Sequence, residues 1–368
     1  MKIIINKSTL LNGINIVNKA IPSNTTMEIL KYIKISAINN EIRLLANDMD
    51  MAIETSIEGE VVESGEIAVD ANKINSVLRS LPDNDLIIET NDKNEIIITY
   101  NTDKKSNSKI NYLNTDEFPE LPSYEKNDPI VISEFSLKEL IRTTIFSISD
   151  NDTNKIMTGE LFELKGNVLK VVSLDGHRIS IRKTELKDTY NDKSIIVPGK
   201  VLKELIKILS NDIDSDVNIY NNKNIIIFEF NNNVIVSRLI EGEYLKIDHM
   251  LASNYTVKVN VNKKDLLDGI NRAIPFVHEG EKKPVKFNFE NDTLNMSISS
   301  LEGGNNDYIN IEKEGNDVLI GFNPKFIIDA LKVIDDETVN LYMINSKAPC
   351  FIKNDEESYV YLILPVNF

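Results

Sequence analysis

Apolar residues along this 368-residue chain follow two periods in turn. Leu10, Leu11, Ile14 and Val17 recur at helical spacing, as do Leu266, Leu267, Ile270 and Ile274, and each set draws one apolar stripe down a helix. The two stretches read almost alike, LLNGINIVNKAIP from Leu10 and LLDGINRAIP from Leu266. Between such phrases lie runs of alternating or continuous β-formers, for example EILKYIKISA, EIRLLA and MAIETSI, bounded by Asn and Asp turns. Each block therefore predicts helices packed on antiparallel sheet.

A second helical phrase recurs three times: DANKINSVLRSLPDNDLIIE from Asp70, VPGKVLKELIKILSNDIDSDVNIY from Val197 and FNPKFIIDALKVIDDETVNLY from Phe322. Its leading lysines, Lys73, Lys200 and Lys325, are 127 and 125 residues apart. The first phrase gains a middle member in SLKELIRTTIFSIS (136–149), and from Leu10, Leu140 and Leu266 to the lysines is 63, 60 and 59 residues. A constant offset between two separate phrases marks a domain-sized tandem repeat. The fold class expected is α+β, with three tandem pseudo-repeat domains, each carrying two helices on antiparallel sheets; an arc of such units closed by a second copy, dimerising, would give a closed ring. The domain bounds expected are 1–126, 127–252 and 253–368, with linkers at LPSYEKNDP (121–129) and near MLASNYT (250–256), where Pro, Asn and Ser cluster.

Composition narrows the class. A 42% hydrophobic content can bury cores of this size. The single cysteine, Cys350, excludes a disulfide framework and fits a reducing cytoplasm. MKIIINKSTLL is too short in its apolar run for a signal peptide, and YVYLILPV (359–366) is too short to span a membrane. A cytoplasmic protein without membrane contact is expected. The net charge of −16 argues against nucleic acid only if it is spread evenly. It is not. The six helical phrases (7–19, 72–80, 136–149, 199–210, 262–275, 323–334) sum to +9, leaving −25 for the rest. Basic helix faces are commonly just solvated, but one sign at six repeat-related places suits helices turned toward a polyanion. No Arg/Asn/Gln cluster suggests base reading, so contact would be with phosphate and independent of sequence. Such contacts are weak, on the order of 10⁻⁴ to 10⁻⁶ M, and holding power would come from encirclement.

The stretches SLDGHRISI (173–181), IIVPGKVLKEL (195–205), SRLIEGEY (237–244), GFNPKFIIDALK (321–332) and the terminal LPVNF (364–368) resemble the bacterial DNA sliding clamp family, the beta subunit of DNA polymerase III. The resemblance runs the full length. It implies a head-to-tail homodimer around double-stranded DNA, without sequence specificity, and a processivity factor with no catalytic activity of its own and no cofactor. It also implies a pocket between the second and third domains for short peptides of the DNA polymerase III alpha subunit, the clamp loader, other polymerases and repair proteins. Carried over by position, that pocket falls on Met157, Gly159, Leu174, Gly176, His177, Arg178, Ile179, Leu245, Met250, Asn323, Phe326, Lys347, Pro349, Leu364, Pro365, Val366 and Asn367. Where the family often has Phe-Pro-Asp-Tyr this chain has YLKI (244–247), and it ends LPVNF in place of Met-Pro-Met-Arg-Leu. The dimer seam would take Ile110, Tyr112, Phe276 and Val277. The DNA-facing set is Lys73, Arg79, Lys138, Arg142, Lys200, Lys203, Lys207, Lys263, Lys264, Arg272, Lys325 and Lys332; the loop SNTT (23–26) carries Asn24 where the family often has arginine.

The repeat points to the pocket independently. LKVVSLDGHRISIRK in the second copy matches IRLLANDMDMAIETS in the first and MSISSLEGGNNDYIN in the third. Asp175-Gly176 reads as a hairpin turn common to all, whereas His177-Arg178 is found only in the second copy. Two other classes compete. Asp48 and Asp50 in NDMD could hold Mg²⁺ for a nuclease, although turn acids are usually just solvated, and no HExxH, CxxC, GxSxG or GxxxxGK[ST] pattern accompanies the histidines His177, His249 and His278. A non-encircling peptide-binding adaptor would share the pocket and differ only at the basic helices.

Overall fold

Four of the helices begin on an Asn or Asp whose side chain takes an orphan amide at the first turn. Asn6 opens α1 (Lys7–Val17) and accepts from Ser8 N at 3.0 Å; Asp70 opens α2 (Ala71–Ser80) and accepts from Lys73 N at 2.7 Å. The remaining helices are α3 (Glu134–Arg142), α4 (Gly199–Leu205), the single turn α5 (Asp248–Leu251), α6 (Lys263–Ala273) and α7 (Pro324–Val333). Asn262 and Asn323 cap α6 and α7 in the same way. The computed structural model spans residues 1–368 and describes all except 102, 105, 151–152, 212–213, 252–253 and 278–283; the expected boundary at 252/253 and His278 lie outside the described residues.

The repeated phrase around Leu10 and Leu266 has a packing reason. A Cβ on Gly13 would stand 2.7 Å from Leu44 Cδ1, and one on Gly269 would overlap the Met296 methyl. The glycine of NGIN and DGIN lets each helix lie against its sheet, with Leu10, Ile14 and Val17, or Leu266, Ile270 and Ala273, buried beneath it.

Two expected helices are shorter than their phrases. The 136–149 stretch leaves the α-helix at Arg142, where the Thr143 and Thr144 hydroxyls bond back to the Glu139 and Leu140 carbonyls (2.6 and 2.7 Å), a competition that ends or bends helices. The 199–210 stretch is α-helical only to Leu205, so Lys207 stands in the turn that follows.

The chain forms two compact bodies, and the second copy contributes to both. In one (Met1–Phe135 with Lys207–Leu239) thirteen antiparallel strands are hydrogen-bonded in series. Strand Met51–Ile57 of the first copy pairs there with strand Asn233–Arg238 of the second, Met51 opposite Ser237. In the other body (Ser136–Ile206 with Ile240–Phe368) a seven-stranded and a four-stranded sheet enclose the third-copy core and part of the second. Strand Arg178–Pro198 of the second copy pairs there with the last strand, Tyr359–Ile363, Arg178 opposite Ile363.

The ladders set the copies in register. Ile33 pairs with Val69, Glu160 with Val197 and Val285 with Phe322, each just before a helix. Counting forward from these, the residue entering the hairpin turn is Asn47, Leu174 and Ser299. The third copy is therefore two residues out from the sequence match: Gly303 takes the place of Arg178, not of Gly176.

Register also isolates Glu160. Its counterparts Ile33 and Val285 are buried apolar residues, whereas Glu160 is a fully buried carboxyl with neither oxygen hydrogen-bonded. The Thr144 hydroxyl that would help donates to Leu140 O, and burial holds the Glu160 carboxyl well above the usual range. In the unfolded chain it ionises near pH 4.3, so folding must retain a proton above that pH, and stability falls as pH rises past it. Glu160→Ile should unfold at higher temperature than the parent, by a margin larger at pH 8 than at pH 4.5; an equal margin at both would mean the carboxyl is not held neutral.

Candidate functional site: a hairpin turn, an aromatic sandwich and the chain terminus

The hairpin between strands Gly159–Leu174 and Arg178–Pro198 turns at Asp175, Gly176 and His177. Gly176 has φ +89°, a conformation glycine adopts without steric cost. Asp175 Oδ1 gathers the amides of His177 (3.0 Å) and Arg178 (3.1 Å), so the acid of SLDGHR organises the turn.

The turn sends its two candidate side chains in different directions. Arg178 is only 7% exposed. Its guanidinium bonds Asp175 Oδ2 at 3.0 Å, Asp329 Oδ2 of α7 at 2.7 Å and the Phe146 carbonyl at 2.5 Å. The Phe326 ring lies 4.6 Å from its central carbon and the Phe146 ring 5.4 Å. Arg178 is fully engaged inside the protein, where a planar fork suits paired carboxylates and aromatic faces. His177 remains exposed, stacked on Phe326 with ring centroids 6.0 Å apart and planes 19° from parallel. Asp329 and Phe146 were not among the sequence candidates; the available signal was an acid placed within the otherwise apolar FIIDAL of α7.

Leu174 and Ile179 are buried with Leu161, Val172, Tyr244 and Ile247, and Met157 packs half-buried against that cluster. Gly159 belongs to the same foundation: a Cβ there would meet Val197 O at 2.6 Å, and the Tyr244 hydroxyl donates to Gly159 O at 3.4 Å. Among the pocket candidates the exposed apolar residues are Leu245, Met250 and Leu364, at 46%, 37% and 37%. The terminal segment is held by its backbone, Leu364 N to His177 O at 2.9 Å and Val366 N to Gly321 O at 2.8 Å, with Pro365 between. Pro349 precedes Cys350, which stands opposite Ile363, so it flanks Leu364. Asn323 spends its side chain on the cap of α7. Lys347 is exposed beyond a turn built by Asn345, and Asn367 lines a different crevice with Pro284, Lys286 and Phe368.

The cations divide as well. Arg142 is chelated by Glu139 at 2.6 and 2.7 Å, a hydrogen-bonded pair that raises the arginine and lowers the glutamate. Arg272 is paired with Asp307, and Lys263 donates to Ile334 O at 2.7 Å. Lys73, Arg79, Lys200, Lys203, Lys207, Lys264, Lys325 and Lys332 are exposed, Lys138 is half-buried, and Lys203 lies 3.7 Å from Asp150. Asn24 is exposed. Of the seam candidates, Phe276 and Val277 pack half-buried on the third-copy core, with Phe276 beside Gly303. Tyr112 is half-buried, and Ile110 is buried in its own body, which leaves a seam its backbone rather than its side chain. Asp48 Oδ1 accepts from the amides of Asp50 and Met51, the work of a turn acid.

Three like copies of two helices on antiparallel sheet, joined in series by strand pairing, define a clamp-type fold. Three family models match in order: the N-terminal domain of the DNA polymerase III beta subunit over residues 1–122, its central domain over 131–246 and its C-terminal domain over 248–367. The chain therefore belongs to the DNA polymerase III beta subunit family, the sliding clamps that hold polymerase to DNA without catalysing a reaction. It is 32% identical over 377 residues to the beta sliding clamp of Staphylococcus epidermidis, covering 100% of this chain and 99% of that one. Among solved structures it is similar to a putative DNA polymerase III beta subunit from Eubacterium rectale (TM-score 0.96, 54% identity, 100% and 99% covered). A sliding clamp from Bacillus subtilis gives a TM-score of 0.95 at 30% identity, again with 100% and 99% covered.

Truncating Arg178 would strand Asp329 without its partner and empty the space between two rings. Losing one member of such a pair costs on the order of 3 kcal/mol. Arg178→Ala should lower the unfolding temperature and Asp329→Asn should lower it less, while His177→Ala leaves it unchanged; a stable Arg178→Ala protein would contradict the placement of the guanidinium.

Proposed function

We propose that two copies of this chain, each built of domains 1–126, 127–252 and 253–368, close head to tail into a ring around duplex DNA in the cytoplasm. One observation carries this reading. At both internal junctions a copy's post-turn strand pairs with the last strand of the next copy in the same register: Met51 opposite Ser237 with Arg238 N on Asp50 O, and Arg178 opposite Ile363 with Leu364 N on His177 O. The third copy has the corresponding strand, Gly303–Asn310, at an open sheet edge. Among the described residues the first copy's last strand, Ser106–Leu113, is paired on its second side at Tyr112 and Leu113 alone. Exposed edges of this kind invite another chain. Applying the internal register sets Gly303 opposite the partner copy's residue 110 and Asn305 opposite its residue 108, which brings Phe276 and Val277 to the seam.

Encirclement gives the exposed helix lysines a polyanion to face while the anionic remainder faces water. Contacts through phosphate alone leave the ring free to slide. The pocket over Leu174, Ile179 and Met157, rimmed by His177, Leu245, Met250 and Leu364, suits a short apolar peptide from the DNA polymerase III alpha subunit, the clamp loader, or another polymerase or repair protein. Arg178 serves it by fixing the turn against α7 rather than by touching the peptide.

Changing Lys200, Lys203 and Lys207 together to Glu should reduce processive synthesis on the order of tenfold and flatten the salt dependence of DNA association by up to about three counterions. Affinity for a pocket peptide should stay within about twofold of the parent. Equal loss of both activities would favour a peptide adaptor that encircles nothing.

A further inference from the structure

The junction in the first body repeats the one that carries the peptide pocket, and it also shelters a crevice. Its cavity is about 290 Å³, walled by Met49, Met51, Pro119, Ile225 and Val236. This falls just below the range for whole small-molecule sites, roughly 300–1,000 Å³, and suits a single side chain. The parts correspond: a hairpin turn (48–51 for 175–178), an incoming linker, and the last strand of the next copy. Asn47 Nδ2 ties the linker down through Pro119 O at 3.3 Å.

Two features set this crevice apart as more than a by-product of the repeat. Met49 has φ +78°, at the place where the second copy puts Gly176. A bulky residue there costs about 1–2 kcal/mol, and such strain gathers at functional positions. What the strain obtains is a methionine 44% exposed at the mouth, a polarisable side chain that adapts to apolar partners. The second feature is charge. Arg238 at the rim is exposed and has no ion-pair partner among the described residues. Glu120, just before the linker, lies 3.4 Å from Lys34. Asp50, across the pairing, forms no ion pair with Arg238 among the described residues.

We propose that this crevice is a second peptide site, taking one leucine- or phenylalanine-sized side chain against Met49 with a neighbouring carboxylate on Arg238. The inference rests on the reading of the second-body pocket as a peptide site, and it assigns the two sites different chemistry. Where the pocket offers His177 and Leu364, the crevice offers the Arg238 guanidinium, which favours an acidic flank against the opposing charge of Asp50.

Methionine methyl NMR separates the two, because Met49 and Met51 report the crevice while Met157 and Met250 report the pocket. The probe is the pentapeptide acetyl-Gly-Glu-Leu-Phe-Gly-amide, titrated into the full-length protein. Met49 and Met51 should shift with a dissociation constant unaffected by His177→Ala. That constant should weaken about fivefold in Arg238→Ser and tighten in Asp50→Asn. Met49→Gly, which relieves the strained backbone, should weaken binding read at Met51 without lowering the unfolding temperature. Shifts confined to Met157 and Met250 would overturn the second site and leave the pocket standing. Shifts confined to Met49 and Met51 would support the crevice and the different chemistry assigned to the two sites, and no shift at Met49 or Met51 at millimolar peptide would overturn the crevice.

Discussion

Everything in this molecule hangs on one antiparallel pairing. The strand that leaves each hairpin turn must find the final strand of the copy that follows, because an edge of unmet amides and carbonyls cannot be left in a sheet without consequence. Twice the chain satisfies that demand internally, at Met51 with Ser237 and at Arg178 with Ile363. The same residues around each turn that make the pairing also build the floor of the adjoining cleft. On the proposed reading a binding site is created at each junction of two copies, and function is a consequence of how the repeat is stitched rather than an addition to it.

The second-body cleft shows what specialisation adds to that plan. A guanidinium held by two carboxylates and a carbonyl, between two aromatic faces, ties the turn to α7. Packing of this kind pre-organises a site before a ligand arrives. On the proposed reading the exposed apolar rim can remain small and still bind a peptide, since a few anchors carry most of the energy of a peptide complex. In the first-body crevice Met51 occupies the position of Arg178, and Arg238 N donates to Asp50 O across the pairing.

The helices were legible in the sequence because their signal is local: one apolar face, capped starts in α1, α2, α6 and α7, and in α1 and α6 a glycine where the helix meets its sheet. Three copies could be counted for the same reason. The ends at Arg142 and Leu205 were not legible, since side-chain competition and tertiary packing decide where a helix stops. Nor was the alignment of the third turn, where the likeness of Asp175-Gly176 and Glu302-Gly303 drew Gly303 onto Gly176 although the ladder places it two residues on. His177 and Arg178 stood out as a pair, yet one is a surface ring and the other an interior tie. Partners such as Asp329 and Phe146 are far from Arg178 along the chain, and only the fold brings them together. Pairing between copies is non-local in the same way, and it leaves no trace in spacing.

The repeat-derived seam is tested most directly by a disulfide between copies. Ser108→Cys combined with Asn305→Cys occupies a directly opposed pair in the proposed register, and the native Cys350 is buried away from reaction. In that pairing the Cα atoms stand about 4.5 Å apart, within disulfide reach. Mild oxidation should convert the 41.7 kDa chain into a covalent dimer that stays on closed circular DNA in high salt and leaves when the circle is cut. Ser108→Cys with Asn306→Cys, which faces the opposite side of the sheet, should stay uncrosslinked. A protein that sediments only as monomer, or that crosslinks equally in both registers, would contradict the account.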